Sequence, residues 1–231
     1  MRCAVSRAAV ISTAVTGLLC VSQIAPAFAQ PVNLSVGVST LGLGVQVSTP
    51  LIPGSLDLAL GINRYSYNHN GTYTSGGSNI PYHGNMRLQT IPVLLNYYPF
   101  QGVFRVTGGV MFNQNQFTLN ASGGNGNYTI NNHPYSAQQV GTFTGKVAWK
   151  RVAPYLGLGW GSKAARKPGF SMGFDLGVLF TGAPQVTLSA SNPNNNPQLA
   201  SDVAAAQATA NQKASSYKLW PVIGVRVGYD F

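Results

Sequence analysis

The sequence predicts an all-β fold: a closed, antiparallel, transmembrane β-barrel. Three observations predict it. Apolar residues alternate with small or polar ones at period two, over segments of about 9 to 15 residues. Charged residues are 8% of the chain, against roughly 25% in ordinary soluble domains, yet no segment after the leader is a helix-length apolar run. The connections alternate between short and long, as a barrel with tight turns at one end and long loops at the other requires.

The amino terminus is read as a secretion signal. Arg2 and Arg7 precede an uncharged stretch, 8–21, and Ala27-Phe28-Ala29 supplies the small-x-small cleavage pattern, with the cut before Gln30. A lipoprotein signal at Cys20 fits less well, because Leu19 precedes it where a small residue is needed. Residues 1–29 are thus expected to be removed and 30–231 to form a single domain. Cys3 and Cys20 both leave with the leader, which excludes disulfides and thiolate chemistry from the mature chain. Loss of Arg2 and Arg7 takes the formal charge from +10 to +8. The acids are Asp57, Asp175, Asp202 and Asp230. The basic balance does not point to nucleic acid, because no dense Lys/Arg cluster accompanies it.

The segment 169–181 shows the alternation well: Phe170, Met172, Phe174, Leu176, Val178 and Phe180 oppose Ser171, Gly173, Asp175 and Gly177. Segments 55–68, 103–118, 153–161 and 217–231 repeat it, and 87–98, 142–150 and 185–191 do so more weakly. Pro92 and Pro221 each remove a ladder hydrogen bond. With 41–49 this makes nine strands. Val32, Leu34, Val36 and Val38 are at even positions, whereas Leu41, Leu43, Val45 and Val47 are at odd ones. The slip near Thr40 is a tight turn, which makes ten strands, or a bulge with one weak segment dissolved, which makes eight. Ten is preferred. Short turns are expected at Ile52-Pro53-Gly54, Phe100-Gln101-Gly102, Arg151-Val152 and Gly182-Ala183-Pro184. Long polar loops are expected at 69–85, 120–141, 162–168 and 192–216. The last is read as flexible, the alternative being a short helix capped at Ser201-Asp202.

The strand opening Ala153-Pro154-Tyr155-Leu156-Gly157-Leu158-Gly159 and the ending Val225-Arg226-Val227-Gly228-Tyr229-Asp230-Phe231 resemble the small outer-membrane β-barrels of Gram-negative bacteria, broadly OmpA-type or OmpW-type. The resemblance implies an outer-membrane location and a terminal aromatic signal, Tyr229 and Phe231, read by the barrel-assembly machinery. Pro221 departs from the pattern near the start of the last strand.

The phase of the alternation turns Asp57, Arg105, Lys146, Asp175 and Arg226 inward, since Arg or Lys facing lipid at mid-membrane costs about 2–4 kcal/mol. These residues are read as an ion-pair network filling a narrow lumen, with a cation-lined, anion-preferring path as the alternative. Arg87, Lys163, Arg166, Lys167 and Lys213 form an expected extracellular basic rim facing lipopolysaccharide phosphates. Tyr97, Tyr98, Trp149, Trp160, Tyr217, Tyr229 and Phe231 are expected in aromatic girdles, with Trp220 on the inward phase. Gly157 and Gly159 are expected to make room for a neighbouring side chain.

His69, His83 and His133 fall in expected loops with no aspartate near them in the strand map, so neither a triad nor a metal site is expected. The expected function is a monomeric, cofactor-free, non-catalytic outer-membrane barrel of structural or passive-permeation type. Its expected partners are outer-membrane lipid, lipopolysaccharide and the assembly machinery. The alternatives are an anion-preferring channel, a lipid-modifying enzyme and a surface adhesion barrel.

Overall fold

Residues of one parity face out along each strand, and a sheet whose outer face is apolar hides its edges best by closing on itself. The computed structural model describes residues 31–75, 78–122, 127–161, 168–192 and 196–231; the expected signal segment lies outside them. The strands are β1 (Asn33–Ser39), β2 (Gly42–Ile52), β3 (Leu56–Ser75), β4 (Ser78–Tyr97), β5 (Phe104–Asn113), β6 (Gln116–Ser122), β7 (Asn127–Ile130), β8 (His133–Ser136), β9 (Thr142–Ala148), β10 (Val152–Gly161), β11 (Gly169–Leu179), β12 (Gln185–Ala190) and β13 (Trp220–Asp230). Helices are α1 (Ala137–Val140) and α2 (Pro197–Ala214). The barrel closes in the order β1-β2-β3-β4-β5-β10-β11-β13 and back to β1, all antiparallel. The barrel therefore has eight strands.

The slip at Thr40 is a turn: Ser39 faces Gly42, and Leu41 folds into the barrel with its N–H on Ser39 Oγ at 3.1 Å. The count is still eight rather than ten, because two expected strands are not separate barrel staves. β6 continues β5 without a change of register, Thr90 facing Asn113 and Arg87 facing Gln116. β9 leads into β10 the same way, Gln116 facing Ala148 and Phe112 facing Val152. β12 prolongs β11 one residue out of register. The expected turns at Arg151-Val152 and Gly182-Ala183-Pro184 are thus bends within long staves. At the first bend the side chains of Asn113 and Asn115 take over from the ladder, accepting from Asn115 N at 3.0 Å and Gln89 N at 2.9 Å. Ile52-Pro53-Gly54-Ser55 is a true turn, with Ser55 N on Ile52 O at 3.0 Å and Gly54 at φ 80°, the left-handed position that favours glycine.

Four of the eight staves rise past the rest, and β12 prolongs a fifth, to make a sheet in the order β3-β4-β6-β9-β12 above one end of the barrel. The expected loop 69–85 is largely the hairpin of β3 and β4, paired from Leu56↔Tyr97 to Ser75↔Ser78. The expected loop 120–141 holds β7, β8 and α1, and 192–216 holds α2. Helix α2 begins earlier than Ser201-Asp202. Asn196 caps it, its side chain accepting from Leu199 N at 3.2 Å, and Pro197 follows in the first turn, where a missing N–H costs nothing. Gly161 and Gly169, which 162–168 connects, lie at the end of the barrel that carries Asn33 and Asp230, opposite the long hairpin. That segment is therefore not one of the loops at the hairpin end.

The polarity of the staves inverts along their length. Within the barrel the outward residues are apolar: Leu60 and Ile62, Ile91 and Leu95, Val110 and Phe112, Leu156 and Leu158, all exposed. In the raised part the outward parity is polar, with Ser66, Asn68 and Asn70 on β3, Asn85 and Arg87 on β4, and Thr118 and Asn120 on β6. There the inward parity becomes apolar, and Ile80, Tyr82, Ala121, Phe143, Leu188 and Ala190 join a second core with α2, β7 and β8. At a strand tilt of about 40°, the nine residues from Phe104 to Phe112 of β5, with their neighbours, make a band about 20 Å high, the scale of a bilayer's hydrocarbon.

Candidate functional site

The interior of the barrel has two layers. Toward the end with the termini it is polar. Asp175 of β11 bridges two arginines, Arg105 of β5 through Nη2 at 2.5 Å and Arg226 of β13 through Nη2 at 2.5 Å. The Arg105–Asp175 pair is almost wholly enclosed, with side chains 5% and 8% exposed, whereas Arg226 is 27% exposed. Glycines on the neighbouring strands make the space. A Cβ on Gly159 would lie 2.5 Å from Arg105 Nε, and one on Gly173 would lie 2.9 Å from Arg226 Cγ. Asp57 bonds the Tyr98 hydroxyl. Asn33 donates to Ser171 Oγ at 2.8 Å and to Asp230 at 2.9 Å, and Thr107 donates to Asn96 at 2.8 Å.

Toward the hairpin end the interior is apolar. Leu41, Ala59, Leu94, Met111, Ala153, Tyr155, Leu179 and Val222 form a plug, against which Trp220 packs. Trp149 stands edge-on to Trp220 at 5.3 Å and to Phe117 at 5.6 Å, covering the plug. Two spaces inside are a cavity of about 60 Å³ beside Asn63, Asn96 and Asp175 and one of about 20 Å³ beside Ser48 and Arg105.

Of the residues expected in the lumen, Asp57, Arg105, Asp175 and Arg226 lie inside, and Asp175 brings both arginines together. Lys146 does not. It lies on β9 in the raised sheet, opposite Thr118 and Thr187, and is exposed on the polar outer face. The inward phase expected for Lys146 requires 142–150 to be a barrel strand, whereas the polarity has already inverted there. Tyr97, Trp160, Tyr229 and Phe231 are exposed on the outer wall. Tyr98 and Trp149 are not girdle residues: Tyr98 is buried against Asp57, and Trp149 stacks over the plug. Tyr217 is exposed at the hairpin end, just before β13. Arg87 is exposed on β4 and Lys213 on α2, whereas Lys163, Arg166 and Lys167 lie outside the described residues.

Two solved structures of CarO proteins share the architecture. CarO2 of Acinetobacter baumannii matches with a TM-score of 0.56 and 20% identity, covering 87% of this chain and 99% of that one. CarO of Acinetobacter baumannii matches with a TM-score of 0.54 and 19% identity over 87% and 98% of the two chains. The likeness is one of fold. No protein-family model matches the chain, and no curated protein matches it.

A second polar centre lies in the raised head. Asp202 of α2, buried in an apolar core, accepts from Asn131 at 3.0 Å, Gln198 at 3.3 Å and the Tyr135 hydroxyl, and pairs with His133 Nδ1 at 2.8 Å. The Tyr135 bond and then the Asn131 bond hold the carboxyl down at about 2, against the opposing effect of burial. Burial, then the bond to Asp202, pushes Tyr135 up to about 12. The expectation that no aspartate falls near a histidine is thus corrected: 69 residues of sequence separate His133 and Asp202, and the hairpin β7–β8 packing on α2 closes that gap. Asp202 is 3% exposed while His133 is 57% exposed, so the carboxylate is structural in its surroundings and the imidazole faces water. Among the described residues no three His, Cys, Asp or Glu side chains cluster as metal ligands.

Helix α2 also guards the sheet edge. Asn211 accepts from Val186 N and donates to Val186 O, each at 2.8 Å, and Gln207 accepts from Leu188 N at 2.8 Å. Two side-chain amides one helical turn apart thereby satisfy backbone groups of β12 that would otherwise template another strand.

Proposed function

We propose that the chain is an outer-membrane barrel that carries no solute current and serves as a structural anchor for the folded head at its hairpin end. The observation that carries this reading is the filled interior. An eight-stranded barrel is just wide enough for side chains to fill, and here an apolar plug lies over a bridged ion network. A space of about 60 Å³ corresponds to about four or five water positions, too few for a continuous path. The outward apolar band and the long connections at one end favour the outer membrane, with the termini toward the periplasm.

An anion-preferring channel is the less favoured reading. Arg105 and Arg226 face Asp57, Asp175 and Asp230 inside the barrel, so the lumen has no cationic excess. The deciding experiment is planar-bilayer recording of the refolded protein. A silent bilayer after verified insertion is expected, and reproducible unitary steps from the wild-type chain would overturn the closed-barrel reading. As a positive control, Leu41→Gly with Trp220→Ala thins the plug and removes the ring packed against it, and is expected to raise the leak.

A further inference from the structure

The outer wall has a feature that the closed interior does not account for. Where its outward residues change from apolar to polar, it carries a line of cations. Arg64 of β3 is the direct partner of Gln89 on β4, and Gln114 N reaches Gln89 O at 2.8 Å. Beyond them, Asn113 N reaches Arg151 O at 2.6 Å, and Lys150 is next to it. Arg64, Gln89, Gln114 and Lys150 are thus successive stations at one level of the wall. One step toward the barrel on the same outward parity stand exposed Ile62, Ile91, Phe112 and Val152.

The line continues around the wall. The Lys150 side chain runs along Gly182, where a Cβ would lie 3.2 Å from Lys150 Cδ and Cε, and Gly182 N donates to Lys218 O at 3.1 Å. Lys150 and Lys218 therefore flank the same step between β11 and β12. Two residues above the line, Arg87 Nη2 donates to Gln89 Oε1 at 3.1 Å, which holds its guanidinium toward it. Arg64, Arg87, Lys150, Arg151 and Lys218 are all exposed. No acid offsets them, because Asp57, Asp175, Asp202 and Asp230, the four acids of the chain, are all buried.

A row of uncompensated cations directly above a lipid-facing band lies at the height of the headgroups. Guanidinium groups grip phosphate in bidentate fashion, and half-buried Gln89 and exposed Gln114 stand between the cations as further donors. We propose that Arg64, Arg87, Lys150 and Lys218 form a collar that binds the phosphates of lipopolysaccharide lipid A in the outer leaflet. The proposal rests on the outer-membrane reading and adds the site and the ligand.

The test is lipid retention by the refolded full barrel, measured by native mass spectrometry with bisphosphorylated lipid A and with its dephosphorylated counterpart. Wild type is expected to retain the phosphorylated lipid and not the other. Arg64→Gln with Lys150→Gln and Lys218→Gln is expected to weaken retention about 100-fold, from the loss of three interfacial cations. Arg64→Lys with Lys150→Arg and Lys218→Arg keeps the charge and is expected to retain the lipid; it serves as the folded control if the glutamine variant does not refold. Equal retention of both lipids by wild type, or undiminished retention by a folded glutamine variant, would overturn the collar. Failure of wild type to insert into phosphatidylcholine vesicles would instead overturn the membrane reading beneath it.

Discussion

Asp175→Asn removes the carboxylate that neutralises two guanidinium groups while nearly preserving its volume. The two arginines respond differently because their surroundings differ. Arg226 is 27% exposed and can turn its charge to water, whereas Arg105 is 5% exposed and is fenced by the backbone at Gly159. Orphaning a buried charge costs about 3–5 kcal/mol, while losing a pair with a partly hydrated partner costs about 1 kcal/mol or less. With a urea m-value of about 2 kcal/mol/M, Asp175→Asn is expected to lower the unfolding midpoint in lipid vesicles by about 2 M. Arg226→Met alone is expected to cost about 1 kcal/mol or less. Adding Arg105→Met to Asp175→Asn is expected to restore stability, because it deletes the charge that had lost its partner. The assay is equilibrium urea unfolding followed by tryptophan fluorescence. A loss under about 1 kcal/mol for Asp175→Asn, or additive damage in the double variant, would refute the assignment of cost to Arg105.

Two other outcomes follow from the head. Because the folded Asp202 carboxyl sits near 2 and below its ordinary value of 3.8, its stabilisation of the cap is complete above about pH 4 and is lost as pH falls toward 2. Protection of α2 amides relative to their intrinsic exchange rates should fall over that window, and Asp202→Asn should have lost that protection already at pH 5; pH-independent protection in wild type would contradict this role of Asp202. Asn211→Ala with Gln207→Ala unpairs the edge of β12 and is expected to abolish protection of the Val186 and Leu188 amides, each bond contributing about 1 kcal/mol, while amides of β13 stay protected. Protection retained at both amides would show that the helix does not guard the edge.

The barrel was legible where one rule governs a whole segment. In 169–181 and 217–231 the even–odd alternation gives the faces of β11 and β13, because both strands lie wholly within the barrel. It misled where one continuous strand obeys two rules. Phe112 is apolar at an even position and faces out, while Phe117 is apolar at an odd position and turns to the other face, against Trp149, on the same stave. The sequence contains that signal, since apolar parity changes between 112 and 117, between 147 and 152, and between 86 and 91. Reading 142–150 and 185–191 as separate strands raises the count to ten; read as inversions, the parity changes mark the level at which the outer wall turns polar. The pairing of His133 with Asp202 was not legible, because it depends on a hairpin within 120–141 and a helix within 192–216 packing together. Neither segment has strong periodicity of its own. In the sequence Asp202 reads only as part of Ser201-Asp202, the cap of an alternative short helix.

The unbroken register from β5 into β6, and from β9 into β10, also has a mechanical consequence. Strands of 20 residues such as β3 and β4 are about 65 Å long at roughly 3.3 Å per residue, and they connect the barrel to the head without a joint. The head therefore cannot swing on a linker as a tethered domain does. Any push on α2 must shear the ladder of the barrel wall or tilt the whole molecule in the bilayer. Its standoff from the surface is a fixed length, set by where the staves change polarity.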